Sequence, residues 1–386
     1  MRIVHIADLH LGKSLFDFSL ISDQRAWLAS LVTLLRAQKA DALVIAGDVY
    51  QRSVPSTEAV GLLDDFLSEV VRDVGIPVLM IAGNHDSGER LGFASRLFEQ
   101  GGLFVAGALS KSPKTVTLPD AFGEVTFVLL PYFEPYPIRR LYDDNSIKTC
   151  NDAFARIARE GLSQLDYTKR NVLVAHGFFG RDAALARFSD SERSVGGTDL
   201  VDSSLVERFD YVALGHLHAP QTAGAAHIRY AGSPLKYSLS EATQHKSVTI
   251  IDLNAKGDVR VQSEIIPPAH DLRIVTGTLR ELTDKALQEK QRLDDYVYAV
   301  ITDKNEVYGA MDKLRAVFPN VVGLKRMSDE TGGAGTFATG AQIARKTPDE
   351  LFASFYRDML GEDITPARAK IIHEVLRAAE REEHDL

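Results

Sequence analysis

The sequence predicts an α/β protein followed by a smaller α+β module and a helical C-terminal segment. Three observations carry that prediction. Over the first two-thirds of the chain, short apolar β-branched runs alternate with segments of helical period. Five polar blocks each begin where one of those runs stops. The texture then changes at Pro267-Pro268, a pair that breaks regular structure.

The elements follow in order. Residues 2–7 are apolar and β-branched and read as a strand. Residues 23–38 carry Trp27, Leu28, Leu31, Leu34 and Leu35 at helical spacing. Residues 42–46 return to a short apolar run, 57–74 read as a helix, and 77–82 as a strand. Residues 126–130, 171–175 and 211–214 repeat the strand pattern, and 228–231 with 247–253 read as closing strands of the same layer. Strands apolar throughout and separated by helices indicate a sheet buried on both faces. Beyond residue 267, residues 271–276, 283–292, 296–302, 306–318 and 321–326 give strand-helix-strand-helix-strand, enough for a small α+β module. It carries Lys285, Lys290, Arg292, Lys304, Lys313, Arg315, Lys325 and Arg326, either ordinary solvated charge or a DNA-facing surface. Residues 331–340 are rich in Gly, Thr and Ala and read as a flexible linker. Thr347-Pro348-Asp349-Glu350 is a capping box with proline at the first helical position. An apolar stripe of Leu351, Phe352, Phe355, Tyr356 and Met359 follows, and a second helix from Thr365-Pro366 carries Ile371, Ile372, Val375 and Leu376. Two such helices must cover their stripes, either on the parent domain or on another chain.

Composition bounds the reading. A chain of 386 residues exceeds one ordinary core, so two or three domains are expected. Its 45% hydrophobic and 25% charged residues are ordinary for a globular protein. No apolar run is long enough to span a bilayer and none resembles a signal peptide, so a cytoplasmic protein is expected. Cys150, the only cysteine, excludes an internal disulfide framework or thiolate cluster and reads as an incidental free thiol in a polar stretch. A net charge of -9 argues against a constitutive nucleic-acid coat protein but not against a nuclease, because cations and local basic clusters can still hold phosphate.

The blocks are Asp8-Leu9-His10, Gly47-Asp48, Gly83-Asn84-His85-Asp86, His176-Gly177 and Gly215-His216-Leu217-His218. In open α/β sheets the loops beyond the strand carboxyl ends converge on one rim, so blocks far apart in sequence can meet there. Asp8 and His10 lie two apart and can point to one side. Asp48 has two oxygens with which to bridge two cations, Asn84 offers an amide oxygen, and His176, His216 and His218 offer imidazoles. This mixture suits Mn²⁺ or Fe²⁺ better than Ca²⁺, and without cysteine a structural zinc site is not expected. A pair of such cations serves in-line displacement at a phosphate ester. His85 stands one residue beyond Asn84 and is placed to serve the leaving oxygen, with Asp86 expected to hydrogen-bond its other ring nitrogen. Each block alone is weak; their order, each at a strand end, is the signal.

The order D-x-H, GD, GNHD, H, GHxH resembles the calcineurin-like metallophosphoesterase superfamily over about residues 1–265. More narrowly, the opening Arg2-Ile3-Val4-His5-Ile6-Ala7-Asp8-Leu9-His10-Leu11-Gly12 resembles the SbcD nuclease family. So do Ala46-Gly47-Asp48-Val49-Tyr50, Ala82-Gly83-Asn84-His85-Asp86-Ser87, Tyr211-Val212-Ala213-Leu214-Gly215-His216-Leu217-His218 and Arg229-Tyr230-Ala231-Gly232-Ser233-Pro234. The resemblance implies a metallophosphoesterase β-sandwich flanked by helices, with a small α+β capping domain and C-terminal helices. It places a nuclease domain at 1–267, the capping domain at 268–330, the linker at 331–347 and an ATPase-partner-binding segment at 348–386. It implies that Asp8, His10 and His218 bind one metal, that Asn84, His176 and His216 bind the other, and that Asp48 bridges them. His85 would serve phosphate-ester cleavage, and the turn 232–234 would support the site. The implied cofactors are two Mn²⁺, with Fe²⁺ or Mg²⁺ as substitutes. The implied activity is double-strand exonuclease and single-strand or hairpin endonuclease in DNA end processing and repair, near the nucleoid. The implied partners are DNA ends and hairpins, an SbcC-type coiled-coil ATPase and a second nuclease subunit, with no membrane. A phosphoesterase for small nucleotides or phosphoproteins, and a non-catalytic scaffold on the same fold, are the competing readings. One departure stands out: where the family usually has an acidic residue or histidine shortly after the bridging Asp, this chain has Gln51.

Overall fold

The computed structural model of the chain describes residues 1–182, 186–190, 192, 199–289, 292–303, 305, 307–327, 352–353, 356, 364–365, 368–370 and 372–373. The expected linker at 331–347, the capping box at 347–350 and most of the C-terminal helix pair lie outside the described residues. The chain divides into two compact units, Met1–Ile274 with Asp294–Val297, and Val275–Leu293 with Tyr298–Leu386.

The larger unit is a sandwich of two six-stranded sheets. The first runs, in spatial order, Val259–Glu264, Val248–Leu253, Arg2–Ile6, Ala42–Ala46, Val78–Ile81 and Leu103–Ala106. The second runs Gln221–Ala223, Ala225–Tyr230, Tyr211–Gly215, Arg170–His176, Gly123–Leu130 and Lys114–Asp120. The last four strands of the first sheet are parallel, as are the middle four of the second. The outer pairings that remain are antiparallel. Periodicity suggested one layer, and the residues form two. Both faces of each sheet are buried, so an all-apolar strand cannot reveal which sheet it joins. Ile3, Val44, Leu79, Phe127, Leu129, Val172, Val174 and Ala213 fill the space between the sheets. Ile138, Phe154 and Ile157, from helices Pro135–Tyr142 and Cys150–Glu160, pack with Val128, Leu173 and Leu214 of the second sheet.

The helix Ile21–Gln38 buries Trp27, Leu28, Leu31 and Leu35, as its spacing predicted. The expected helix over 57–74 is α-helical at Thr57–Ser68, capped by the Ser56 side chain, and widens into a π turn at Glu69–Val74 that Gly75 ends. Cys150 is a free thiol, as expected. Although its sequence neighbours are polar, it is buried in the first turn of a helix capped by a Thr149–Asp152 box. Among the described residues, no helix is long and apolar enough to cross a membrane.

The smaller unit carries the expected order of elements, Leu272–Gly277, Leu279–Glu289, Tyr296–Ile301, Ala310–Arg315 and Val321–Arg326. Its three strands form a sheet in chain order, and the division between the units passes through the first two of them.

Candidate metal centre

Each polar block lies where a parallel strand delivers its carboxyl end. Asp8 and His10 follow Arg2–Ile6, Asp48 follows Ala42–Ala46, and Asn84 and His85 follow Val78–Ile81. His176 ends Arg170–His176, opposite Gly215 in the register, and His216 follows immediately after that glycine. The chain turns sharply at these points. Asp8, His10, Asp48 and His216 all have positive φ, at 54°, 45°, 49° and 112°. Such backbone is costly for a residue with a side chain and persists only where its surroundings enforce it. Here Asp8 N donates to Gly47 O at 3.0 Å, His10 N to Asp48 O at 2.9 Å, and Leu11 N to Val49 O at 2.9 Å, zipping two of the turns together. Close approach explains two glycines. A Cβ on Gly83 would stand 2.2 Å from Asp48 Oδ1, and one on Gly215 would stand 2.0 Å from Ala46 O.

The side chains gather in two clusters that share Asp48. In the first, His10 Nε2 lies 3.1 Å from His218 Nε2 and 3.6 Å from Asp48 Oδ2, and Asp8, His10 and His218 bring one ligand atom each within 4.8 Å of one another. In the second, Asn84 Oδ1 lies 3.0 Å from His176 Nε2 and 3.1 Å from His216 Nδ1, while His176 Nε2 lies 3.6 Å from Asp48 Oδ1. The two oxygens of one carboxylate therefore face different clusters. All seven expected ligands meet at this rim.

The electrostatics favour cation binding. Burial pushes the His10 and His176 imidazoles below their ordinary values. Burial, reinforced by His176, takes His216 down to about 3. These rings are therefore neutral at pH 7, with a lone pair to give. Burial alone would raise Asp48, but His176, His10 and His85 outweigh it and hold the carboxyl at about 2. Asp8 is pushed up by burial and by the Asp48 charge. The residues fit divalent metal on their own geometry. Asp8 Oδ2 and His10 Nδ1 are buried without a hydrogen-bond partner. His176 Nδ1 faces the Ala46 carbonyl at 2.8 Å, which fixes its proton there, so the Nε2 lone pair faces the Asn84 oxygen with no proton between them. Two acceptors facing each other with no proton between them are what a cation relieves.

His85 and Asp86 part company. His85 Nε2 points to within 4.0 Å of Asp48 Oδ2, and its ring meets His10 edge-on at 4.8 Å. Its other nitrogen does not meet Asp86, as expected from sequence, but the backbone carbonyl of Gln51 at 3.0 Å. Asp86 instead accepts the amides of Val49, Tyr50 and Gly83 at 3.0, 2.9 and 2.9 Å, because its side chain turns inward to the loop bases. Burial first and Asp48 second raise its carboxyl to about 7. The Gln51 side chain, at the point of departure from the family pattern, accepts from Lys13 Nζ at 3.3 Å.

Sequence reasoning missed the supports. Gln24 donates to the Leu9 and His10 carbonyls and accepts from Gly12 N, and Tyr237 donates to Leu9 O at 2.5 Å. Glu192 accepts the His218 amide, and Glu241 faces His218 Nδ1 at 3.2 Å. None of these four has a local sequence pattern. Gln24, Tyr237 and Glu241 are buried, a signal that needs the fold. Ser233, within the Gly-Ser-Pro turn, takes its place here too, its amide donating to His218 O at 3.1 Å.

A family profile described as calcineurin-like phosphoesterase matches residues 1–220. A second, described as the type 5 capsule protein repressor C-terminal domain, matches residues 268–359. The SbcD subunit of the nuclease SbcCD from Staphylococcus epidermidis is 29% identical over 378 residues, covering 97% of this chain and 98% of that protein. Its counterpart from Staphylococcus saprophyticus is 29% identical over 380 residues, covering 98% of each. Among solved structures, a dimetal phosphatase from Danio rerio superposes with a TM-score of 0.41 at 14% identity, over 69% of this chain and 97% of that one.

Proposed function

The chain belongs to the calcineurin-like phosphoesterase family, in its SbcD type, and we propose that it is the Mn²⁺-dependent DNA nuclease subunit of a complex with an SbcC-type coiled-coil ATPase. It is a metal-dependent phosphodiesterase. The observation that carries the reading is the pair of ligand clusters sharing the two oxygens of Asp48.

In this reading Asp8, His10 and His218 hold one ion, Asn84, His176 and His216 hold the other, and Asp48 bridges. The ions supply nucleophile activation and charge neutralisation for in-line displacement at phosphorus. The mixed oxygen and nitrogen donor set favours Mn²⁺, with Fe²⁺ or Mg²⁺ as substitutes. His85 handles the proton on the leaving oxygen. With Nδ1 donating to Gln51 O, Nε2 is the atom that, when protonated, gives its proton to the leaving oxygen, and the ring is left neutral. Asp86 acts on the loops rather than on the ring. By holding three amides, it keeps Asp48 and Asn84 in register.

DNA ends and hairpins as substrate, and the ATPase as partner, rest on the near full-length likeness to the nuclease subunits. We assign residues 1–267 to the nuclease domain, 268–330 to a capping domain, 331–347 to a linker and 348–386 to the ATPase-binding segment. The active assembly is read as containing two nuclease subunits.

The test uses the purified chain with Mn²⁺ and labelled linear and hairpin DNA, alone and with its ATPase. DNA cleavage is expected, while cyclic nucleotides and phosphopeptides turn over poorly. No DNA cleavage in either form overturns the reading. His85→Ala should lower the cleavage rate by about 10² to 10⁴ while the bound metal persists. Removing residues 341–386 should abolish co-purification with the ATPase but leave the metal in place.

A further inference from the structure

Behind His218, on the side away from the clusters, lies a buried charged network that the sequence did not announce. Glu241 is fully buried, and its Oε1 faces His218 Nδ1 at 3.2 Å. Its Oε2 accepts from Lys246 Nζ at 2.6 Å and lies 3.3 Å from Ser233 Oγ. Lys246 also donates to the His218 carbonyl at 2.9 Å and to Ser233 Oγ at 2.8 Å. Ser238 Oγ completes the carboxylate by donating to Oε1 at 3.1 Å. The residue whose ring faces His10 is therefore gripped at its ring, by Glu241, and at its carbonyl, by Lys246 and Ser233.

A carboxylate that faces a lysine ammonium can only accept. It requires a proton on His218 Nδ1, and a neutral imidazole protonated there presents its lone pair at Nε2. Nε2 is the atom 3.1 Å from His10 Nε2, inside the first cluster. We infer that Glu241 is a positioning residue of the metal centre, fixing the tautomer and ring orientation of His218, with Lys246 as its buried counter-charge. This rests on the assignment of His218 as a metal ligand. Burying a charged pair without a task is costly, and an apolar pair would fill the space as well. The segment 232–246, which supplies no ligand of its own, thereby gains a role: it decides which nitrogen of His218 faces the ion.

Glu241→Gln separates positioning from bulk structure. Next to Lys246, the amide turns its oxygen to the ammonium and its NH₂ group to His218, which drives the ring proton to Nε2. Titration with Mn²⁺ should then find two ions bound, one with affinity reduced about 10- to 100-fold and the other unchanged. Adding Lys246→Met frees the amide oxygen to face His218 and should recover part of the loss. A structural role would not give that recovery. The ring proton is read directly in the wild-type protein loaded with diamagnetic Zn²⁺, by nitrogen NMR of labelled histidine, with His218→Asn to assign the signal. A proton at Nδ1 is expected. A proton at Nε2, or Glu241→Gln binding both ions as tightly as wild type, overturns the inference. If the wild type binds no metal, the ligand assignment itself fails. If the variants do not fold, the wild-type spectrum decides.

Discussion

Asp48 carries the most weight of any single residue. It combines positive φ, burial and two oxygens that look in different directions, 3.6 Å from His10 on one side and 3.6 Å from His176 on the other. Removing an end ligand should therefore empty one cluster, while removing Asp48 should weaken both. We expect Asp48→Ala to lose both Mn²⁺ ions and His176→Ala to lose one, as counted by metal analysis after gel filtration. One tightly held ion in Asp48→Ala would show that the carboxylate does not bridge. Not every buried histidine serves the centre. His5, between the sheets, is lowered to about 3 by burial and meets Tyr211 Oη at 3.0 Å.

Among elements, the strand-end turns do the positioning, and their tolerances are tight. Gly83→Ala drives a methyl group into the backbone and carboxylate of Asp48, at 2.3 and 2.2 Å. Neither can retreat, because Asp48 O holds His10 N and Asp48 Oδ1 holds His85 N. A loss of about 1–3 kcal/mol in stability and a larger loss in metal affinity are expected, read by urea unfolding and Mn²⁺ titration. The opposite corner of the sandwich is held differently. Arg170 reaches Asp120 at 2.9 Å and the carbonyls of Gly123 and Asn254 at 2.9 and 2.8 Å, tying the end of one sheet to the other. The Arg170 guanidinium holds the Asp120 carboxyl well below the usual carboxylate range. A carboxyl with a depressed folded value adds stability above its unfolded value near 4, and that stability fades as the pH falls. Asp120→Asn should thus cost about 2 kcal/mol at pH 7, with the gap to wild type narrowing below about pH 4. Equal gaps at pH 7 and pH 3 would sink this account.

For the whole molecule, the centre and the fold stabilise each other. The clusters press the buried Asp8, Asp48, His10, His176 and His218 together with the half-buried His216 at one rim, an arrangement under stress without cations. Ions that bind only the native form should stabilise it, by about 2.7 kcal/mol for one ion at a hundred times its dissociation constant. Chelation should therefore lower the melting temperature by about 5 °C or more, and Mn²⁺ should restore it, as followed by calorimetry. An unchanged melting temperature after verified metal removal would mean that the ions do not bind the native form in preference to the unfolded chain.

Local signals along the chain were enough for the enzyme class and most of the elements. That Asp8, His10, Asp48, Asn84, His176, His216 and His218 converge on one rim was legible because strand ends are marked by glycine and by the end of an apolar run. The helix at Ile21–Gln38 and the order of elements in the smaller unit were legible for the same reason. Whatever depends on long-range pairing came from the folded molecule alone. Folding set the order of the strands within the two sheets that the resemblance implied, turned Asp86 from His85 towards three loop amides, handed His85 to the Gln51 carbonyl, buried Cys150, and brought Gln24, Tyr237 and Glu241 to the candidate ligands and their loops. The cause is the same in each case. A side chain's partner across the fold is set by which strands lie side by side, and an apolar run buried on both faces carries no record of its neighbours.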